Sequence, residues 1–151
     1  MTPMDDSLLG LLGLAKKAGK LELGDEPVSI AAREHRARLI LMASDAGEVI
    51  LRKGAGLSTD NCPALTVPFS KARLGSAVGR SACALLAVTE VGFASALVKK
   101  LAQADPGQYG DTAQRLNHKA EKALRRRREK QAEKKEREAA GRKPWAPPTK
   151  K

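Results

Sequence analysis

Aromatic side chains are scarce in this chain: one Trp, one Tyr and two Phe among 151 residues. Proteins that hold single strands stack successive bases on several rings, so that mode of binding is disfavoured. Cysteine is scarcer still, with only Cys62 and Cys83. Without a second pair there is no paired-cysteine zinc site. Both lie in or beside apolar runs and read as reduced core or loop thiols. The two histidines, His35 and His118, lie far apart in the sequence. Neither has a Cys or carboxylate at ligand or triad spacing, and His35 reads as a helix-surface residue.

No stretch approaches the roughly 20 apolar residues of a membrane span. The start carries Asp5 and Asp6 and no long apolar run, so no signal peptide is expected. A phosphate-binding P-loop is also missing. Gly75 and Gly79 lie on or beside an expected helix, with no Lys-Ser/Thr after a strand-to-helix turn. Asp45 follows a buried run, where α/β folds place catalytic groups, but it reads better as a turn or capping aspartate. The expectation is a cytoplasmic protein without metal, cofactor, membrane contact or small-molecule substrate, and not an enzyme.

What is abundant is positive charge. Lys and Arg number 28 against 17 Asp and Glu, a net charge of +11. Residues 1–102 hold 13 basic and 10 acidic side chains, whereas residues 103–151 hold 15 and 7. A basic tail on a nearly balanced domain suits a polyanion. The tail lacks the bulky apolar face that a lipid surface needs, which favours nucleic acid.

Apolar periodicity divides the chain. Leu8, Leu11, Leu12, Ala15 and Ala18 share one helical face between a capping Ser7 and Gly19. Lys20–Leu23 alternates like an edge strand. A helix follows, capped by Asp25 and with Pro27 in its first turn; Val28, Ala31, Ala32 and His35 lie along it. Arg38–Ala43 is a continuous apolar run after its first residue, as in a strand covered on both faces. Then come a helix from Gly47 to Gly54, a strand at Ala64–Val67, a helix over Lys71–Val78 bounded by Ser70 and Gly79, a strand at Ala82–Thr89, and a helix over Gly92–Leu101. Alternating helices and buried strands imply a small sheet between helices, and about 100 residues can bury one modest core.

Ala104-Asp105-Pro106-Gly107 breaks the pattern, giving an expected domain of residues 1–104 and a tail of 105–151. Asp111–Ala140 has high helix propensity, with Glu121–Arg125, Glu133–Arg137 and Glu138–Arg142 at i,i+4 spacing. Ala113, Leu116, Ala120 and Leu124 form a thin apolar stripe that ends there. The expected tail helix is marginal alone, little core lies beyond Gln103, and Pro144–Lys151 is expected to be disordered.

Three groups of residues invite an RNA reading. Gly24-Asp25-Glu26 opens a helix, and its carboxylates could accept hydrogen bonds from splayed or mispaired bases; a plain capped helix start is the alternative. Lys71 and Arg73 stand at a helix start, where cations are electrostatically unfavourable, and with Arg80 they could clamp phosphates. Arg125-Arg126-Arg127-Arg128 repel one another unless an anion relieves them, though such runs can be merely solubilising.

The order Leu23-Gly24-Asp25-Glu26, Ala37–Asp45, Val67-Pro68 and Ser70-Lys71-Ala72-Arg73-Leu74-Gly75-Ser76-Ala77-Val78-Gly79 resembles the ribosomal protein L7Ae/L30e superfamily of kink-turn RNA binders, in particular its small bacterial YlxQ-type branch. The resemblance covers roughly residues 7–102. It implies a three-layer α/β/α sandwich with a small mixed four-stranded sheet, to which the basic helical C-terminal extension is added. It also implies an RNA face built from Gly24, Asp25, Glu26 and Ser29 on one side and Gly79, Arg80, Ser81 and Ala82 on the other. Lys20, Arg33, Lys71, Arg73 and Arg125–Arg128 complete the candidate set. The family pattern has Asn-Glu at the first element and a Lys three positions after the Glu. Here Asp25 and Ser29 stand instead, so one amide donor and one cation are lost.

The expected function is a non-catalytic RNA-binding protein, with ribosomal or other structured RNA as partner and ribosomal proteins as possible neighbours. The alternative is a protein-interaction module that kept the fold and lost kink-turn recognition.

Overall fold

The computed structural model describes residues 3–140. The expectation for Pro144–Lys151 and the Glu138–Arg142 pair lie outside the described residues. The chain folds as α1 (Pro3–Lys17), β1 (Leu21–Leu23), α2 (Asp25–Arg33), β2 (Leu39–Met42), α3 (Glu48–Leu57), β3 (Ala64–Thr66), α4 (Lys71–Val78), β4 (Leu85–Val88), α5 (Val91–Ala104) and α6 (Pro106–Ala140).

The four strands make one mixed sheet in the order β1-β4-β2-β3. β4 runs antiparallel to both β1 and β2, and β3 is parallel to β2. Side chains of a strand alternate between faces, and here both faces are covered. Leu39, Leu41, Leu86 and Val88 enter one core with α1, α4 and α5. Ile40, Met42, Leu85 and Ala87 enter the other with Val28 and Ala31 of α2 and Ile50 and Leu57 of α3. This is why the central strands read as unbroken apolar runs, and it gives the expected three layers. Cys62 and Cys83 are free, buried and in different cores.

Local expectations are corrected in five places. α1 starts at Pro3, so Ser7 lies inside the helix rather than capping it. α2 is capped by Gly24, and Asp25 is its first residue. His35 is not on that helix: it stands just beyond in the left-handed region at φ 59. There its N–H donates to Ala32 and that of Arg36 to Ala31, which closes the helix. α3 continues past Gly54, whose missing side chain admits Met42; a Cβ there would collide with its Sδ. β4 begins only at Leu85, because the Cys83 N–H is drawn to the Lys71 carbonyl (2.8 Å) and holds that loop on α4.

The largest correction concerns the tail. Asp105 breaks the chain for a single residue. Its side chain accepts from the Gln108 N–H (3.2 Å), and Pro106 takes the first helical position, where no N–H is needed. α6 then returns along α5. Tyr109 and Leu116 are buried in the larger core, and the Tyr109 hydroxyl donates to the Thr66 carbonyl at 2.6 Å. Core therefore does lie beyond Gln103. Leu124, by contrast, is 47% exposed against 2% for Leu116.

Candidate nucleic-acid interface

One edge of the sheet gathers the loops that carry the candidate residues. β1 ends at Leu23, and Gly24 turns the chain into α2 at φ 93 and ψ 172, a backbone that a side chain strongly disfavours. The Gly24 N–H donates to the carbonyl of Leu85, the first residue of β4 (3.0 Å). This bond ties the first loop to the strand that follows the second. The second loop is fixed from below by Gly75. A Cβ there would stand 2.7 Å from the Ala82 backbone and 2.8 Å from the Arg80 carbonyl. Only a glycine lets α4 lie flat under residues 80–82. The Arg80 guanidinium consequently comes within 4.0 Å of the point where a Cβ on Gly24 would be. Gly24 and Arg80, 56 positions apart by number, are thus neighbours in space.

Charges at this edge are arranged by the helix ends. Asp25 and Glu26 occupy the first turn of α2, where the positive end of the helix favours carboxylates. Glu26 is exposed, and no hydrogen bond or ion pair involves its side chain among the described residues. Asp25 is engaged: Lys53 of α3 reaches across and pairs with its carboxylate. Sequence reasoning missed Lys53 altogether. Ser29, at the position where the family pattern has Lys, donates its hydroxyl to the Asp25 carbonyl (2.9 Å). A cation is thus present beside Asp25, supplied from a different helix.

α4 starts at the same edge. Ser70 caps it by accepting from the Arg73 N–H (3.2 Å), and Asp45 accepts from the Lys71 N–H (2.8 Å). Asp45 is therefore a capping aspartate, as its bland reading had it, but of a helix 26 positions on. Its charge also offsets the unfavourable placing of Lys71 and Arg73. Lys71, Arg80, Ser81 and Ala82 are exposed.

Seven candidates are not brought to this edge. Arg73 is half-buried, with its guanidinium 5.1 Å from the centre of the Phe69 ring, beside a crevice formed by Leu9, Gly13 and Ala77. The Lys20 carbonyl accepts from Thr89, after β4, which puts Lys20 at the opposite end of the sheet. Arg33 closes α2 at that same end. Arg125–Arg128 are all exposed on α6. At about 3.6 residues per turn they point around most of the helix.

Burial pushes the Cys62 thiol up to about 11, against the pull of Arg38 and Lys119, and raises that of Cys83. Both are therefore protonated near neutrality and are poor nucleophiles. Among the described residues no three His, Cys, Asp or Glu side chains are grouped to hold a metal ion, and no helix is long and apolar enough to cross a membrane.

Comparison with known proteins agrees with this architecture. The chain is 38% identical over 95 residues to the RNA-binding protein YlxQ of Bacillus subtilis, covering 60% of this chain and 91% of that one. A Bacillus halodurans protein of unknown function superimposes with a TM-score of 0.54 at 30% identity, over 62% of this chain and 95% of that one. The Giardia lamblia 15.5kD RNA binding protein shares the fold, with a TM-score of 0.55 at 17% identity over 68% and 88% of the two chains. α6 begins after the last residue that the family model matches. Residues 6–98, which carry the whole sheet and both loops of the edge, match the family model, and the chain belongs to the Ribosomal protein L7Ae/L30e/S12e/Gadd45 family.

Proposed function

We propose that this protein binds structured RNA, without catalysis, at the edge where Gly24–Glu26 meets Gly79–Ala82. The juxtaposition of Arg80 with Gly24 carries this reading, because it sets a guanidinium and the Glu26 carboxylate around one exposed backbone surface. Arg80 and Lys71 suit phosphates, which fix register. Glu26 suits the N–H donors of splayed bases. The names of the Bacillus subtilis and Giardia lamblia relatives support RNA as the ligand. The RNA is a kink-turn or a related motif, ribosomal RNA being the natural source. Lys53 stands in for the cation missing at Ser29, and Arg125–Arg128 add attraction without sequence preference.

The test is fluorescence anisotropy with a kink-turn RNA and an unbent duplex of equal length. A base-edge contact is worth roughly 1–3 kcal/mol, so Glu26→Gln should weaken kink-turn binding about tenfold and leave duplex binding nearly as it was. Equal losses on both RNAs, or none, would move the recognition surface elsewhere.

A further inference from the structure

The end of the sheet opposite this edge holds a second basic site. Leu116, Lys119, Lys122 and Arg126 lie on one face of α6 at helical spacing. Over the core that face is apolar; where the sheet ends it becomes basic. Arg38 meets it from the start of β2, where its N–H bonds Val88 (2.7 Å). Together with Asn61 these residues line a cleft of about 320 Å³, roughly ten water volumes at about 30 Å³ each. No carboxylate lines the cleft among the described residues.

The cleft is anchored. Lys119 Nζ donates to the Asp60 carbonyl and to Asn61 Oδ1, both at 2.9 Å. These acceptors are neutral, so the cation stays uncompensated. Arg38 and Lys119 both line the cleft, so charges from β2 and α6 face one space. Among the described residues none of Arg38, Lys119, Lys122 and Arg126 is ion-paired; Glu90 caps α5 through the Gly92 and Phe93 N–H groups, and Glu121 accepts from Asn117. Four converging cations repel one another, and in water alone nothing repays that repulsion. A polyanion does, by releasing its counterions.

We propose that this cleft grips the phosphodiester backbone of RNA, as a second contact at the far end of the sheet from the Gly24–Arg80 edge. The two sites are separated by the length of β2, about 13 Å at about 3.3 Å per residue, plus the loops at each end. The first reads splayed bases and the second reads charge. The inference rests on the RNA reading above, and the experiment separates the two.

Binding of the full chain to a kink-turn RNA and to a plain duplex is measured across a salt series. The variants are Arg38→Gln/Lys122→Gln/Arg126→Gln in the cleft and Glu26→Gln/Arg80→Gln at the edge. The control is Lys130→Gln/Lys134→Gln/Lys135→Gln, which removes the same charge farther along α6. Lys119 is kept because it ties α6 to the turn before β3. The cleft variant should bind the plain duplex at least tenfold more weakly, with a log–log salt slope smaller by about 2–3, since each phosphate contact contributes about 0.7–0.9. It should keep the preference for the kink-turn, whereas the edge variant should lose that preference and keep most duplex binding. An unchanged duplex affinity in the cleft variant, or an equal loss in the control, overturns the cleft and leaves the edge standing. Duplex binding that poly-glutamate displaces as well as RNA does would assign the cleft to an acidic protein instead. A wild-type chain that binds neither RNA at low salt overturns both readings.

Discussion

Helix α6 is one continuous rod of 35 residues with two unlike halves. From Pro106 to about Ala123 it belongs to the globular domain, through Tyr109, Leu116 and the tether of Lys119 to Asp60 and Asn61. From Leu124 to Ala139 every side chain is exposed. The ion pair Glu133–Arg137, at 4.0 Å, is typical of what that half offers itself, and such pairs contribute only about 0.3–0.5 kcal/mol. The outer half is helical largely because the inner half supplies a nucleus, so that each further residue only propagates an existing helix. A family domain has been lengthened by a helix that is core at one end and charge carrier at the other.

The difference is broken most directly by truncation. Removal of everything after Gln103 strips two large buried side chains, each worth about 1.5–3 kcal/mol, and bares the face of α5 beneath them. The melting temperature followed by circular dichroism should fall by about 10 °C or more. Truncation after Ala123 should shift it by no more than about 2 °C. Equal shifts in the two shortened chains would mean that α6 merely leans on the domain.

Single substitutions sharpen the contrast. Leu116→Ala should cost about 2–5 kcal/mol, as large-to-small changes in packed cores do. Leu124→Ala, one face-repeat farther on, should stay within about 0.5 kcal/mol. Urea unfolding measures both. A comparable loss at Leu124 would carry the docked half past Ala123.

A smaller effect is expected from pH. Cys62 lies beside Lys119 of the inner half, and burial raises its thiol from 9.0 to about 11. The unfolded thiol gives up its proton first, so this contribution is intact below pH 9 and is lost as pH rises towards about 11. Tyr109 shifts in the same direction, through burial and then the charge of Asp105. Denaturation curves between pH 8 and 11 should therefore show falling stability, less steeply in Cys62→Ala. Outer-half variants such as Lys134→Gln should follow the wild-type curve.

How much of this could be read from the sequence depended on how local the cause was. β2 and β4 were legible because strands covered on both faces leave unbroken apolar runs. α4 was legible because Ser70 and Gly79 bound it and its cap is its own neighbour. The pairing of the Gly24 and Arg80 loops came from family resemblance, and the backbone bond from Gly24 to Leu85 explains it. The docking of α6 was hidden because Tyr109 sits just after a Pro-Gly breaker, and the apolar face it shares with Leu116 is thin. Lys53 was invisible because its partner is on another helix. Asp45 was seen as a cap, but the helix it caps lies beyond both α3 and β3.

Tyr109 is the only tyrosine in the chain, and the only tryptophan, Trp145, lies outside the described residues. A single phenol, buried and bonded to the Thr66 carbonyl, therefore sits at the seam where the added helix meets the sheet. In a Trp145→Phe variant its near-ultraviolet band is an intrinsic optical label for that seam, and undocking of α6 can be followed separately from melting of the sheet.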